Sequence, residues 1–164
     1  MRIVVFSDSH GITAAMEAAI EQQKSAKLFI HLGDGLEEFK RIMEKYPGKE
    51  YWCVRGNCDY TAPEESTAYS WVKDVKIMFT HGHHWHVKLD LDDLKIGARE
   101  QNARIALYGH THISHVAYDD GLHIMNPGSI SCPKDYSCPT YGTIDIQGKN
   151  IVCNIVKMEH YRGY

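Results

Sequence analysis

The chain has 164 residues, which gives one compact domain, residues 1–164, and no room for a second. Apolar residues make up 43% and charged residues 24%, globular values that exclude a disordered, collagen-like or low-complexity chain. Lys and Arg number 18 against 21 Asp and Glu, a net charge of −3 with no run of one sign, which excludes a basic nucleic-acid arm and a membrane-binding patch.

The opening run Ile3 to Phe6 is apolar and β-branched and stops at Ser7-Asp8-Ser9-His10, the pattern of a buried strand that delivers polar residues at its carboxyl end. A start that turns polar so soon has no signal-peptide layout, and the longest apolar runs have only four residues, so a cytoplasmic protein without a membrane span is expected. Ile12, Met16, Ala19 and Ile20 then share one helical face, with Thr13 available as a cap. Lys27 to Leu32 repeats the strand and ends at Gly33-Asp34-Gly35. Leu36, Phe39, Ile42, Met43 and Tyr46 repeat the helix, closed by Pro47-Gly48. Alternating strands and helices predict a parallel sheet.

Three further apolar runs end in the same way. Tyr51 to Val54 stops at Arg55-Gly56-Asn57-Cys58-Asp59, Val75 to Thr80 at His81-Gly82-His83-His84, and Ile105 to Tyr108 at Gly109-His110-Thr111-His112. Between the last two, Leu91, Leu94, Lys95 and Ala98 mark a helix. The remaining chain reads as two hairpins, Ile113–Tyr118 with Leu122–Met125 and Thr143–Ile146 with Ile151–Val156.

In open parallel sheets the ligand crevice lies outside the carboxyl ends of the strands, and here each such end carries a metal-ligand type. The set is Asp8, His10, Asp34, Asn57, His81, His110 and His112. Its oxygen and imidazole donors, with no thiolate, suit a pair of first-row divalent cations. The neighbouring glycines let the backbone turn sharply and pass close to the ions. The five cysteines have irregular spacing and no C-x-x-C pair, so free thiols are expected, Cys132 and Cys138 included.

The blocks Asp8-x-His10, Gly33-Asp34, Gly56-Asn57, His81-Gly82 and Gly109-His110-x-His112 resemble, in order, the signature of the calcineurin-like metallophosphoesterases. Val54-Arg55-Gly56-Asn57-Cys58-Asp59 and Asn126-Pro127-Gly128-Ser129 are similar to the small bacterial and archaeal phosphodiesterase branch. The resemblance implies an α/β fold, a four-layer αββα sandwich of two mixed sheets flanked by helices. It also implies two metal ions, one on Asp8, His10, Asp34 and His112, the other on Asp34, Asn57, His81 and His110, with Asp34 shared. Mn is the expected metal, and Fe, Zn, Ni or Co suit the same donors. The implied reaction is attack on a small phosphodiester by a hydroxide held between the ions, with weak monoesterase activity alongside. A homo-oligomer is compatible with this reading, and long nucleic acid and membrane are not expected partners.

The residues around this set carry further expectations. Arg55 is placed to bind a phosphoryl oxygen, with a surface salt bridge as the alternative. Asp59 orients a neighbour or caps a turn. Cys58 stands where many superfamily members have a proton-donating His, and cations close by should lower the thiol, which leaves a poor general acid and favours aryl and activated diesters. His83, His84 and His86 surround Trp85, either as a substrate wall in which Trp85 stacks and His83 or His84 donates the proton, or as a solvated loop whose Trp covers the core edge. His31, His115, His123 and His160 should pack or hydrogen-bond. Asn126 to Ser129 should form a turn close to the site. The competing function is a metal-binding interaction scaffold, since a retromer subunit shares this fold; a redox sensor built on Cys58 has only that one cysteine in its favour.

Overall fold

A computed structural model describes residues 1–135 and 138–158. Strand β1 (Arg2–Phe6) leads to helix α1 (Ala14–Gln22), β2 (Leu28–His31), α2 (Leu36–Lys45) and β3 (Glu50–Cys53). Next come β4 (Thr67–Val72), β5 (Val75–Thr80), a single 3₁₀ turn (His83–Trp85), α3 (Asp92–Glu100) and β6 (Ile105–Leu107). Two hairpins close the fold, β7 (Ser114–Asp119) with β8 (Leu122–Pro127) and β9 (Thr140–Gln147) with β10 (Asn150–Lys157).

The strands form two five-stranded sheets, ordered β10-β9-β1-β2-β3 and β4-β5-β6-β8-β7. β1, β2 and β3 pair in parallel, as do β5, β6 and β8, while β9 runs antiparallel to β1 and β4 antiparallel to β5. Both sheets are therefore mixed, as expected.

Strand periodicity then sets the layers. Ile3 and Val5 of β1 face one way and join Leu28, Ile30, Ile77, Phe79, Ile105 and Leu107 in a core between the sheets. Val4 and Phe6 face the other way and pack with Phe29 against Met16, Ala19 and Ile20 of α1 and Phe39 and Ile42 of α2. Met78 and Ala106 on the outer face of the second sheet pack against Leu94 and Ala98 of α3. Helices, sheet, sheet and helix stack as four layers around three apolar cores, and the central strands, covered on both faces, are apolar at nearly every position. No helix among the described residues is long and apolar enough to cross a membrane.

Two local expectations need correction. Thr13 occupies the N-cap of α1 but lies in a helical backbone conformation and makes no side-chain capping hydrogen bond. Strand β4 had no counterpart in the sequence reading. Its exposed residues are the aromatics Tyr69 and Trp71, and its more sheltered ones are Ala68 and Ser70, so the usual polarity of the alternation is inverted. His160 lies outside the described residues.

Candidate metal centre

The carboxyl ends of β1, β2, β3, β5 and β6 point to one edge of the sandwich, where the following loops bring all seven candidate ligands together. The backbone there is unusual. Asp8, His10, Asp34, His110 and His112 all have φ between 41° and 67°, the left-handed region that costs a non-glycine residue free energy. Such strain persists only where the surroundings impose it. Gly33, Gly56 and Gly109 are required by close approach: a Cβ on Gly33 would meet Gly56 N at 2.3 Å, one on Gly56 would meet Asp34 Oδ1 at 2.0 Å, and one on Gly109 would meet Ser7 Oγ at 2.0 Å.

The donor atoms fall into two groups. In the first, His112 Nε2 lies 3.2 Å from Asp8 Oδ1 and 3.2 Å from His10 Nε2, and His10 Nε2 is 3.9 Å from Asp8 Oδ1. In the second, His81 Nε2 lies 3.1 Å from Asn57 Oδ1, 3.1 Å from His110 Nδ1 and 3.4 Å from Asp34 Oδ2. Asp34 also reaches toward the first group, since donor atoms of Asp8, Asp34 and His81 lie within 4.8 Å of one another, as do those of His10, Asp34 and Cys58.

The ligands are held from behind. His81 donates its Nδ1–H to Leu32 O at 2.7 Å and His112 donates its Nδ1–H to Cys132 O at 2.7 Å, which leaves each Nε2 as the lone-pair nitrogen turned into the centre. Asp8 Oδ2 accepts from Ser7 Oγ and from His110 N, while its backbone carbonyl accepts from Ser129 Oγ at 2.8 Å and Ser131 Oγ at 3.0 Å. Asn126 donates to Gly109 O and Thr111 Oγ1, both at 3.0 Å, so Asn126 to Ser129 is a brace behind the loops that carry Asp8, His110 and His112.

Asp59 accepts four backbone N–H groups, from Asp34 (2.7 Å), Gly56 (2.8 Å), Gly35 (2.9 Å) and Leu36 (3.0 Å). It thereby caps α2 and fixes Asp34, which joins the two roles weighed for it. Fully buried His31 accepts Gly33 N–H on Nδ1 at 3.1 Å, so its Nε2 carries the hydrogen and donates to Ser9 Oγ at 3.1 Å, tying the loop after β2 to the loop after β1. Nothing local in the sequence reveals this strut.

Electrostatics favour cation binding. Asp8 is buried, yet His112, His81 and Ser7 outweigh the desolvation that would raise it and hold it below the usual carboxylate range. Burial likewise opposes the charge on Asp34, but His81 and Cys58 hold this carboxyl low. Burial would lower His81, but Asp34 and Asp8 draw it up, and the adjacent Asp8 carboxylate raises His112. Burial and then His81 push His110 down to about 4. Asp8 Oδ1 is a buried oxygen with no hydrogen-bond partner among the described residues, facing two imidazole nitrogens. An orphaned carboxylate oxygen inside a ring of nitrogen and oxygen donors fits a divalent cation.

Other expected residues depart from the reading. The protein's own groups push the Cys58 thiol up to about 11, burial first and then Asp34, and the lowering expected from cations acts against this background. Trp85 is not a free stacking wall: its Nε1 donates to Thr67 Oγ1 at 2.8 Å and its ring lies against Gly97 of α3, where an added Cβ would meet it at 2.4 Å. It covers the edge of the outer core. His83 stands beside His81 and His84, with ring centroids at 5.4 Å and 4.0 Å, and burial followed by His84 and His81 pushes it down to about 4. An imidazole held that low is neutral at pH 7 and takes up a proton poorly.

His84 and His86 are exposed, and His86 Nδ1 lies 3.2 Å from Asp93 Oδ2. The Arg55 side chain is exposed, and its charge acts on His83. His115 bonds to Tyr108 at 2.9 Å and the His123 ring packs at a tilt against Tyr118, centroids 4.8 Å apart, as expected of packing residues. A groove of about 580 Å³ opens from His10, Asp34 and Cys58 and runs between the first turn of α2 and residues 59–63.

The family model for the calcineurin-like phosphoesterase superfamily domain matches residues 1–149. The chain is 29% identical over 171 aligned positions to a protein of Escherichia coli (strain K12) named phosphodiesterase YfcE, covering 88% of each chain. It is similar to the crystal structure of a conserved uncharacterized protein, a predicted phosphoesterase, from Streptococcus pneumoniae TIGR4, with TM-score 0.82, 27% identity and coverage of 99% of this chain and 92% of that one. The fold is also shared, with TM-score 0.72 and 21% identity over 96% of this chain and 99% of the other, by wild-type Vps29 of Entamoeba histolytica solved with Zn.

Proposed function

The chain belongs to the calcineurin-like phosphoesterase superfamily, and on that premise we propose that it is a metal-dependent phosphodiesterase acting on a small diester at a dinuclear centre. Asp8, His10 and His112 hold one cation, Asn57, His81 and His110 hold the other, and Asp34 serves both. The observation that carries this reading is the pairing of an unpartnered buried oxygen, Asp8 Oδ1, with five ligand positions held at positive φ. When bound, a pair of first-row divalent ions, Mn foremost, supplies a strong hydroxide nucleophile at neutral pH and draws charge from the phosphoryl oxygens.

The chain's own groups do the rest. Leu32 O and Cys132 O fix the tautomers of His81 and His112 through their Nδ1–H groups. Arg55 binds a non-reacting phosphoryl oxygen from the rim. His83, kept neutral beside His81, accepts a hydrogen bond at the edge of the centre. Cys58, beside the ligands, is a poor general acid, which suits leaving groups that need little protonation and favours aryl and activated diesters over alkyl monoesters.

The test is to strip metals, restore single divalent ions, and assay bis(p-nitrophenyl) phosphate beside p-nitrophenyl phosphate while counting bound ions by calorimetry. Two ions per chain and faster hydrolysis of the diester are expected. Folded protein that binds metal and hydrolyses neither ester would overturn the enzyme and leave the scaffold of the same fold.

A further inference from the structure

Two first-turn carboxylates of α2 line the groove beside the centre: Glu37, which pairs with Arg41 at 3.9 Å, and Glu38, which neither ligand geometry nor helix capping explains. Glu38 lies in the first turn of α2, half-buried, and makes no hydrogen bond or ion pair with any described residue. Its oxygens sit over the two glycines that flank the ligands: a Cβ on Gly11, next to His10, would lie 3.6 Å from Glu38 Oε1, and one on Gly35, next to Asp34, would lie 3.4 Å from Glu38 Oε2. The backbone N–H groups that an acidic residue in a first turn would otherwise serve are already taken by Asp59, which accepts from Gly35 and Leu36. Lys40, which also lines the groove, is held at 2.7 Å by Glu64. Tyr60, 85% exposed, lines the same groove and offers an aromatic surface.

On the reading that the centre hydrolyses diesters, we propose that this groove seats one ester arm of the substrate and that Glu38, with Tyr60, selects an arm bearing an alkylammonium group. An uncompensated carboxylate beside an aromatic face attracts a cationic group and repels a second anion. The field along the site thus changes sign, positive at a loaded centre and negative in the groove. A zwitterionic diester has the matching polarity.

Three p-nitrophenyl phosphodiesters that differ only in the second arm test this: choline, its uncharged isostere neohexyl, and carboxypropyl. In each case water adds to phosphorus, the aryl P–O bond breaks and p-nitrophenolate leaves, so one absorbance reads all three. With the metal-loaded wild-type protein, kcat/KM for the choline arm should exceed that for neohexyl by about tenfold, with carboxypropyl slowest. Glu38→Gln should bring the choline-to-neohexyl ratio close to one, Glu38→Arg should favour carboxypropyl, and Tyr60→Ala should lower the ratio partway. Because each ratio is taken within one preparation, partial misfolding of a variant does not change it, and the wild-type ratio decides even if a variant fails to fold. Equal wild-type rates on choline and neohexyl arms, with bis(p-nitrophenyl) phosphate hydrolysed, would overturn the groove assignment alone. Absence of hydrolysis of every diester with every metal would overturn the phosphodiesterase reading and this assignment with it.

Discussion

The sheet built on β1, β2 and β3 delivers three oxygen donors, Asp8, Asp34 and Asn57, and one imidazole, His10, whereas the sheet built on β5 and β6 delivers three imidazoles, His81, His110 and His112. The means of support differ as well. On the oxygen side, buried side chains grip backbone amides, as Asp59 does with four N–H groups and His31 with Gly33. On the imidazole side, backbone carbonyls orient the rings of His81 and His112, and one of those carbonyls, Leu32 O, belongs to the loop that follows β2 of the opposite sheet. Neither sheet holds a complete site, so the apolar core between the sheets is what assembles the centre. Chemistry and folding therefore share one interface.

The sharpest way to break this division is at the residue between the two halves. Asp34→Asn removes the shared charge while keeping the shape, and should reduce diester hydrolysis by on the order of 10³-fold or more. Calorimetry should show one of the two ions lost. Retention of both ions with full turnover would mean that Asp34 is not shared.

A second test addresses the oxygen side alone. Burial pushes His31 down to about 4 from an ordinary 6.5, so the unfolded chain takes up this proton before the folded one does. The unfolded state then binds more protons between those values, and stability falls as the pH drops from 6.5 toward 4, by about 3 kcal/mol from this residue. His31→Gln, which can keep an acceptor for Gly33 and a donor for Ser9 without titrating, should lose this part of the slope in urea denaturation at stepped pH. An unchanged slope would show that the strut is not held neutral.

The smallest effect concerns the region after β5. Thr67→Val removes the acceptor for Trp85 Nε1 and should cost about 1 kcal/mol in chemical denaturation while leaving kcat/KM within about twofold. A large rise in KM would restore Trp85 to the substrate wall.

These contrasts also explain what could be read in the sequence. The seven candidate ligands were legible because they stand just after short apolar runs, and five of them, His10, Asp34, Asn57, His81 and His110, sit beside a glycine, a purely local pattern. The buried parallel strands were legible as continuous apolar runs such as Ile3 to Phe6, while the four-layer arrangement followed from the family resemblance. Strand β4 was not legible, because Tyr69 and Trp71 face outward and the turn at Lys73, with φ of 53°, uses no glycine. Missing β4 concealed the role of Trp85, whose partner Thr67 lies on it. The four donors to Asp59 and the direction of the Cys58 shift come from groups brought together by folding, and short sequence windows do not contain them.

The positive φ values of the ligand loops bear on how this chain would respond to selection. Glycine adopts such a backbone without penalty, while His10, His110 and His112 each incur on the order of 1 kcal/mol there. A library screened only for survival on heating should accumulate glycine at these three positions, and the hardier clones would be the ones that no longer bind metal. Thermal hardening of this protein has to be selected with turnover measured in the same screen.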